Sequence, residues 1–231
     1  MDDLPPHRVA LFDVSPEGLL RICGDRLGAR YQKSPIGLRR APAVFKVDFA
    51  LSGRVPWSAP EVQRAGTIHL AGSLNELRES TRAVNRGRMP ERPFVVAAQP
   101  SVFDEAWAPG NGQTFWTYCH VPMGSTEDVT ERIEGQVERF APGFRDLIVS
   151  RHVFTPADLQ EHNSNLVGGD ITGGSNGGLQ LFYRPRIALN PYGTPDDGIY
   201  LCSSSTPPGG GVHGMAGYHA ARAALRRLGR L

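Results

Sequence analysis

The most constraining stretch of this sequence is Gly198-Ile199-Tyr200-Leu201-Cys202 followed by Ser203-Ser204-Ser205-Thr206-Pro207-Pro208 and then Gly209-Gly210-Gly211-Val212-His213-Gly214-Met215. An apolar strand, a glycine-rich loop and an alanine-rich helix from about 214 to 228 are expected in that order. Consecutive glycines remove Cβ atoms, so a flat ring or a phosphate can lie directly on the backbone. The helix start behind them offers unpaired N–H groups and a partial positive charge suited to an anionic ligand. The same pattern also serves as a tight strand-to-helix crossover, with Arg222, Arg226, Arg227 and Arg230 complementing the helix C-terminus. Spacing by itself leaves both readings open.

Elsewhere the periodicity is mixed. Val9 to Val14 reads as a short buried strand, and Ser15-Pro16-Glu17 then opens a helix carrying Leu19, Leu20, Cys23 and Leu27 at three- and four-residue steps. Phe45, Val47, Phe49 and Leu51 alternate with Val44, Lys46, Asp48 and Ala50, the pattern of a half-buried strand. Thr67 to Leu70, Pro93 to Gln99, Thr114 to Val121 and Ile148 to Phe154 extend this to an antiparallel sheet. Ser73-Leu74-Asn75-Glu76 and Ser125-Thr126-Glu127-Asp128 look like capping boxes for helices carrying Val84 and Ile133. Thr155 to Asp158 caps a short helix, and Leu179 to Tyr183 has strand character. The fold class expected is α+β, with an α/β strand–loop–helix remnant and divisions at 1–43, 44–165 and 166–231.

Several function classes lose support on composition and motifs. Twenty-five Lys plus Arg against 23 Asp plus Glu leave a net charge of +2, so no nucleic-acid partner is called for. Three separated cysteines without a CxxC pair suggest reduced thiols and a cytoplasmic setting. The start, Met1-Asp2-Asp3-Leu4-Pro5-Pro6, lacks a secretory signal's basic and apolar regions. Apolar runs such as Phe94-Val95-Val96-Ala97-Ala98 fall well short of the roughly 20 residues that span a bilayer. The histidines show no HExxH or HxH spacing, so no metal is expected. No nucleophile elbow supports a hydrolase.

The 198–217 segment resembles the C-terminal signature of the phytoene-desaturase-like and carotenoid-isomerase-like FAD-dependent oxidoreductases, including the type with a pyridine nucleotide-disulfide oxidoreductase domain. Thr206, Pro208, Gly209, Gly210, Gly211, Val212, Gly214 and Gly217 stand in matching places. Gly168-Gly169-Asp170, Gln180, Arg184-Pro185, Phe45 to Asp48, Gly66 to Leu70, Tyr118 to Pro122 and Phe140 to Phe144 extend the likeness over nearly the whole chain. Ser203-Ser204-Ser205 replaces the usual Gly-Ala-Gly, and Pro207 replaces a histidine. No strand followed by GxGxxG occurs, the unit that binds the ADP part of FAD in this family.

The resemblance implies FAD as cofactor, contacted by Ser203, Ser204, Thr206, Gly209, Gly210, Gly211, Val212, Gly214 and Met215. It implies an antiparallel substrate-domain sheet joined to the remnant of an FAD-binding domain. His213 in the loop and His120 on the Tyr118-Cys119-His120-Val121 strand are candidate catalytic groups, with a local helix-start hydrogen bond and a core placement as their alternatives. The expected partners are a hydrophobic small molecule and a second chain supplying the GxGxxG half. Homo-oligomerisation and peripheral membrane contact stay open. The rival reading is a truncated, non-catalytic relative that serves as a substrate-binding or dimerisation module.

Overall fold

The structure, a computed structural model, describes residues 4–33, 38–108, 110 and 112–230. In chain order its main elements are β1 (Ala10–Phe12), α1 (Pro16–Gln32), β2 (Ala43–Leu51), β3 (Thr67–Leu70), α2 (Leu74–Asn85), β4 (Val95–Ala98), β5 (Gln113–Val121), α3 (Thr130–Phe140), β6 (Ile148–Phe154), α4 (Pro156–His162), β7 (Ile199–Leu201) and α5 (Met215–Arg227). They fall into two compact units, one of residues 1–41 with 160–231 and one of residues 42–159. The architecture combines an antiparallel sheet with a small parallel one, so the chain is mixed α and β.

In the unit of residues 42–159, the strands lie in the order β3-β4-β5-β2-β6, every neighbouring pair antiparallel. Side chains alternate between the two faces of a strand, and β2 uses that alternation fully. Phe45, Val47, Phe49 and Leu51 are buried, whereas Lys46 and Asp48 are half-buried and Ala50 is exposed. On the buried face, Phe115, Cys119 and Val121 of β5 join them under Val129, Ile133 and Val137 from the α3 region. Phe49 and Phe115 each pack edge-on against Phe144, with ring centroids 5.3 and 5.5 Å apart, the preferred geometry of aromatic pairs.

Local sequence explains the starts of three helices. The Ser15 hydroxyl accepts the Gly18 N–H at 3.0 Å with Pro16 at the first helical position. Ser73 accepts the Glu76 N–H at 3.3 Å. At α4, Thr155 Oγ1 and Asp158 bond reciprocally through each other's backbone N–H, at 3.2 and 2.9 Å.

Two expectations fail. The Ser125 box does not start α3: Ser125 accepts the Glu127 N–H, and Asp128 instead accepts the Thr130 N–H at 2.8 Å. The helix therefore begins one turn later than the box implies, with Asp128 holding its approach. Leu179 to Tyr183 is not a strand. Gly178–Leu181 forms a 3-10 turn closed by Phe182 N–H to Leu179 O, because a local carbonyl satisfies the backbone where, among the described residues, no strand pairs with it.

The unit of residues 1–41 and 160–231 is built differently. β1 and β7 pair in parallel, Ala10 opposite Ile199 and Phe12 opposite Leu201. Their core is Leu19, Cys23, Leu27 and Tyr31 of α1 against Ile199 and Leu201. Leu179, Phe182 and Ile187 are exposed, Ile187 at 82%.

Phe144→Ala should cost about 3–5 kcal/mol of unfolding free energy, since its ring closes the aromatic core. Val149→Ala, at an exposed β6 position, should stay within about 0.5 kcal/mol. Urea unfolding followed by tryptophan fluorescence distinguishes the two.

Candidate functional site

The glycine loop leaves β7 through a tight turn. The Cys202 N–H extends the strand pairing to Phe12 O at 2.9 Å. Ser203 O then accepts the Thr206 N–H at 2.9 Å and its hydroxyl at 2.7 Å, and the Gly209 N–H closes on Thr206 O at 2.9 Å. Ser203, Ser205 and Thr206 are buried, so two of the three serines that replace Gly-Ala-Gly are enclosed by the protein. Ser204 is half-buried. The Ser205 hydroxyl is buried without a hydrogen-bond partner.

Beyond this turn the backbone is open. Gly210, Gly211, Val212, His213 and Gly214 are all exposed, with Val212 fully so, and Met215 is 36% exposed. Gly209 is buried at φ 105°, and a Cβ there would sit 2.9 Å from Arg184 Nη1. Gly214, the N-cap of α5, adopts the left-handed conformation at φ 63° with no side-chain cap bond. Only glycine takes such backbone without strain. His213 makes the local bond: its Nδ1 accepts the Met215 N–H at 3.1 Å. With Nδ1 accepting, the neutral ring carries its proton on Nε2, which is then the donor left to a ligand.

Behind the loop lies a group that the sequence pattern alone did not single out for a role. Arg184 is 0% exposed. Its Nη2 donates to Ser204 O at 2.7 Å, Gly173 O at 3.2 Å and Thr172 O at 3.3 Å, and its Nη1 bonds the Asn176 side-chain oxygen. One guanidinium thus fastens the 172–176 and 203–209 segments together. Asp170, equally buried, organises the same region by accepting the Ala41 N–H at 3.1 Å, the Thr172 N–H at 2.8 Å and the Thr172 hydroxyl at 2.9 Å. Burial pulls the Arg184 guanidinium below its ordinary pKa, and the Asp170 charge opposes that shift. The signal in the sequence was an arginine between Tyr183 and Pro185, downstream of a glycine cluster. Both features are common, and only folding brings them together.

His120 lies in the other unit, half-buried on the sheet face opposite the aromatic core. The antiparallel register places Val44 across from His120, Lys46 from Tyr118 and Asp48 from Trp116. The same face carries His152 and Phe154 of β6, opposite Asp48 and Lys46. The Trp116 and Tyr118 rings stack at 6.2 Å, the Tyr118 and His120 rings meet edge-on at 6.0 Å, and Lys46 Nζ sits 5.4 Å from the Phe154 ring centre. A half-buried face of flat rings with a few charges suits an apolar ligand with one polar feature. Cys119 turns to the core, where burial pushes its thiol up to about 12, so it is no nucleophile at neutral pH. Among the described residues no cluster of His, Cys, Asp and Glu is arranged to hold a metal.

No family model matches the chain. It is 30% identical over 201 residues to pyridine nucleotide-disulfide oxidoreductase domain-containing protein 2 of Rattus norvegicus, covering 78% of this chain and 33% of that protein. It is 27% identical over 143 residues to the neurosporene-forming phytoene desaturase of Rhodobacter capsulatus, covering 57% of this chain and 26% of the desaturase. An oxidoreductase structure from Methanosarcina mazei superposes with a TM-score of 0.58 at 14% identity, over 97% of this chain and 44% of that one. The sequence relatives are thus a protein named for an oxidoreductase domain and a desaturase, and the Methanosarcina mazei likeness is one of fold. The chain spans between about a quarter and a third of the length of these curated relatives. Such relatives suggest a flavin or nucleotide cofactor, and no described helix is long and apolar enough to cross a membrane.

The loop geometry makes opposite predictions for two glycines. Gly209→Ala forces a Cβ against Arg184 at positive φ and should destabilise by about 1–3 kcal/mol. Gly217→Ala, inside α5 with nothing within 4 Å of the new methyl, should stabilise by about 0.5–1 kcal/mol. Thermal melts of the two variants check the contrast.

Proposed function

We propose that this chain forms the flavin-facing and substrate-facing portion of an FAD-dependent oxidoreductase acting on an apolar substrate. The observation that carries this reading is the loop after β7, an exposed backbone ribbon from Gly210 to Gly214 that follows a buried glycine packed against the buried Arg184. Bound FAD would supply hydride acceptance at its ring, chemistry that no side chain here provides. The protein's residues do the rest.

Gly209, Gly210 and Gly211 would lie behind the ring without side chains to displace it, and Val212 would project beside it. Ser203 and Ser205 do not obstruct that approach, because they are buried. Ser204 and Thr206 brace the turn from which the ribbon starts. Gly214 and Met215 open α5, whose early N–H groups would face negative charge. His213 would hold the helix start through Nδ1 and present its Nε2 proton outward. In the other unit, Trp116, Tyr118 and Phe154 would seat the apolar body of a polyene-like or other lipid substrate, with His120 as a polar contact. We place the protein in the cytoplasm.

The remaining FAD contacts would come from a GxGxxG-bearing segment, on a second chain or elsewhere in one polypeptide. Two features favour such a complement. Among the described residues the parallel sheet consists of the two strands β1 and β7, whereas parallel sheets are ordinarily larger and covered on both faces. The exposed Leu179, Phe182, Ile187 and Leu189 offer apolar surface for it to cover.

Visible absorption of the purified chain, mixed with FAD alone and together with a GxGxxG-bearing partner, tests the reading. An oxidised-flavin band in either mixture that stays with the protein through gel filtration is the expected result. Colourless protein in both would refute the flavin assignment and favour a non-catalytic binding module.

A further inference from the structure

We propose that Arg184 is the positioning and charge-setting residue of the flavin-facing loop, favouring negative charge on whatever ring lies across Gly209 to Gly214. This inference rests on the flavin reading above and assigns that site its electrostatic control.

Arg184 is fully buried, yet its partners are neutral: the Asn176 amide oxygen and the carbonyls of Thr172, Gly173 and Ser204. Among the described residues no carboxylate lies within the 4.0 Å of an ion pair with it. Its Nε is buried with no hydrogen-bond partner. Asp170, the acid of this region, spends its oxygens on the Ala41 and Thr172 N–H groups and the Thr172 hydroxyl, with Arg40 Nη1 3.8 Å away. A buried arginine whose purpose was only to crosslink two loops would ordinarily be neutralised by a carboxylate, because an unpaired buried charge is costly. Here no carboxylate bonds the guanidinium directly and Asp170 acts on it only through space, and Nη1 lies against one glycine of the loop.

That glycine is Gly209, whose missing Cβ leaves room for Nη1 at a distance of 2.9 Å from where a methyl would sit. The exposed ribbon begins at the next residue, Gly210. A ligand covering the ribbon would exclude water from it, so the field of the guanidinium would be less screened there than in bulk water. A flavin gains negative charge at its pyrimidine edge when reduced. Arg184 therefore favours the reduced form over the oxidised one and raises the reduction potential.

Two variants separate charge from scaffolding. Arg184→Gln removes the cation, and Asn176→Asp keeps it but places a carboxylate on Nη1, at an exposed position that tolerates the change. Each is loaded with FAD, with any partner needed for binding, checked for fold by circular dichroism, and titrated against a reference dye. Both should weaken the preference for reduced over oxidised flavin about tenfold, which for a two-electron couple lowers the potential by about 30 mV. Arg184→Lys should recover most of that shift.

Potentials unchanged in Asn176→Asp, and in Arg184→Gln where it folds, would overturn the inference while leaving flavin binding intact. A purely structural role would instead weaken oxidised and reduced flavin equally. Wild-type protein that takes up no flavin at all would overturn the functional reading and this inference with it.

Discussion

A single buried guanidinium holds together the part of this protein that faces its proposed cofactor. The loop after β7 and the glycine cluster at 172–176 have little apolar content, so hydrophobic burial cannot fix their relative positions. Arg184 does so by donating to carbonyls on both segments, Ser204 O on one side and Thr172 and Gly173 O on the other. Hydrogen bonds to a charged donor are stronger than neutral ones, and burial excludes the water that would compete for the same oxygens. Glycine at 209 follows from this arrangement, since any larger residue would strike the guanidinium.

The other unit rests on a different constraint. Its sheet has two faces with different duties, and the alternation of β2 and β5 assigns them. Phe45, Phe49, Phe115 and Cys119 meet the α3 region in a closed core, while Lys46, Asp48, Trp116, Tyr118 and His120 share the opposite, half-buried face. A one-residue slip of register would exchange the two sets, so core packing and the aromatic face are specified by the same pairing. Substrate recognition on this face would thus inherit its order from the core behind it.

Much of this was legible in the residues. Period-two alternation located β2 and β5 to within a residue, because one buried face imposes a strong pattern. Ser15-Pro16 and Thr155 to Asp158 marked helix starts through short-range hydrogen bonds that depend on local sequence alone. Failures came where local signals competed with tertiary partners. Leu179 to Tyr183 has strand-like composition but, among the described residues, no strand that pairs with it. Ser125 offers a cap, yet Asp128 lies nearer the helix start.

The glycine loop was visible as a motif; its anchor was not. Arg184 acquires its role from contacts 8 to 20 positions away in sequence, which no periodicity reveals. His213 was read both as a ligand group and as a local cap, and its Nδ1 bond to Met215 shows the second, leaving Nε2 to serve the first.

The central claim is that ligand binds on the ribbon after β7. Hydrogen–deuterium exchange read by mass spectrometry, with and without FAD, tests it most directly, because backbone N–H groups covered by a ligand exchange more slowly. Slowed exchange in peptides spanning 203–217, with α2 unchanged, is the result this account predicts. FAD that binds yet leaves 203–217 unprotected would contradict it.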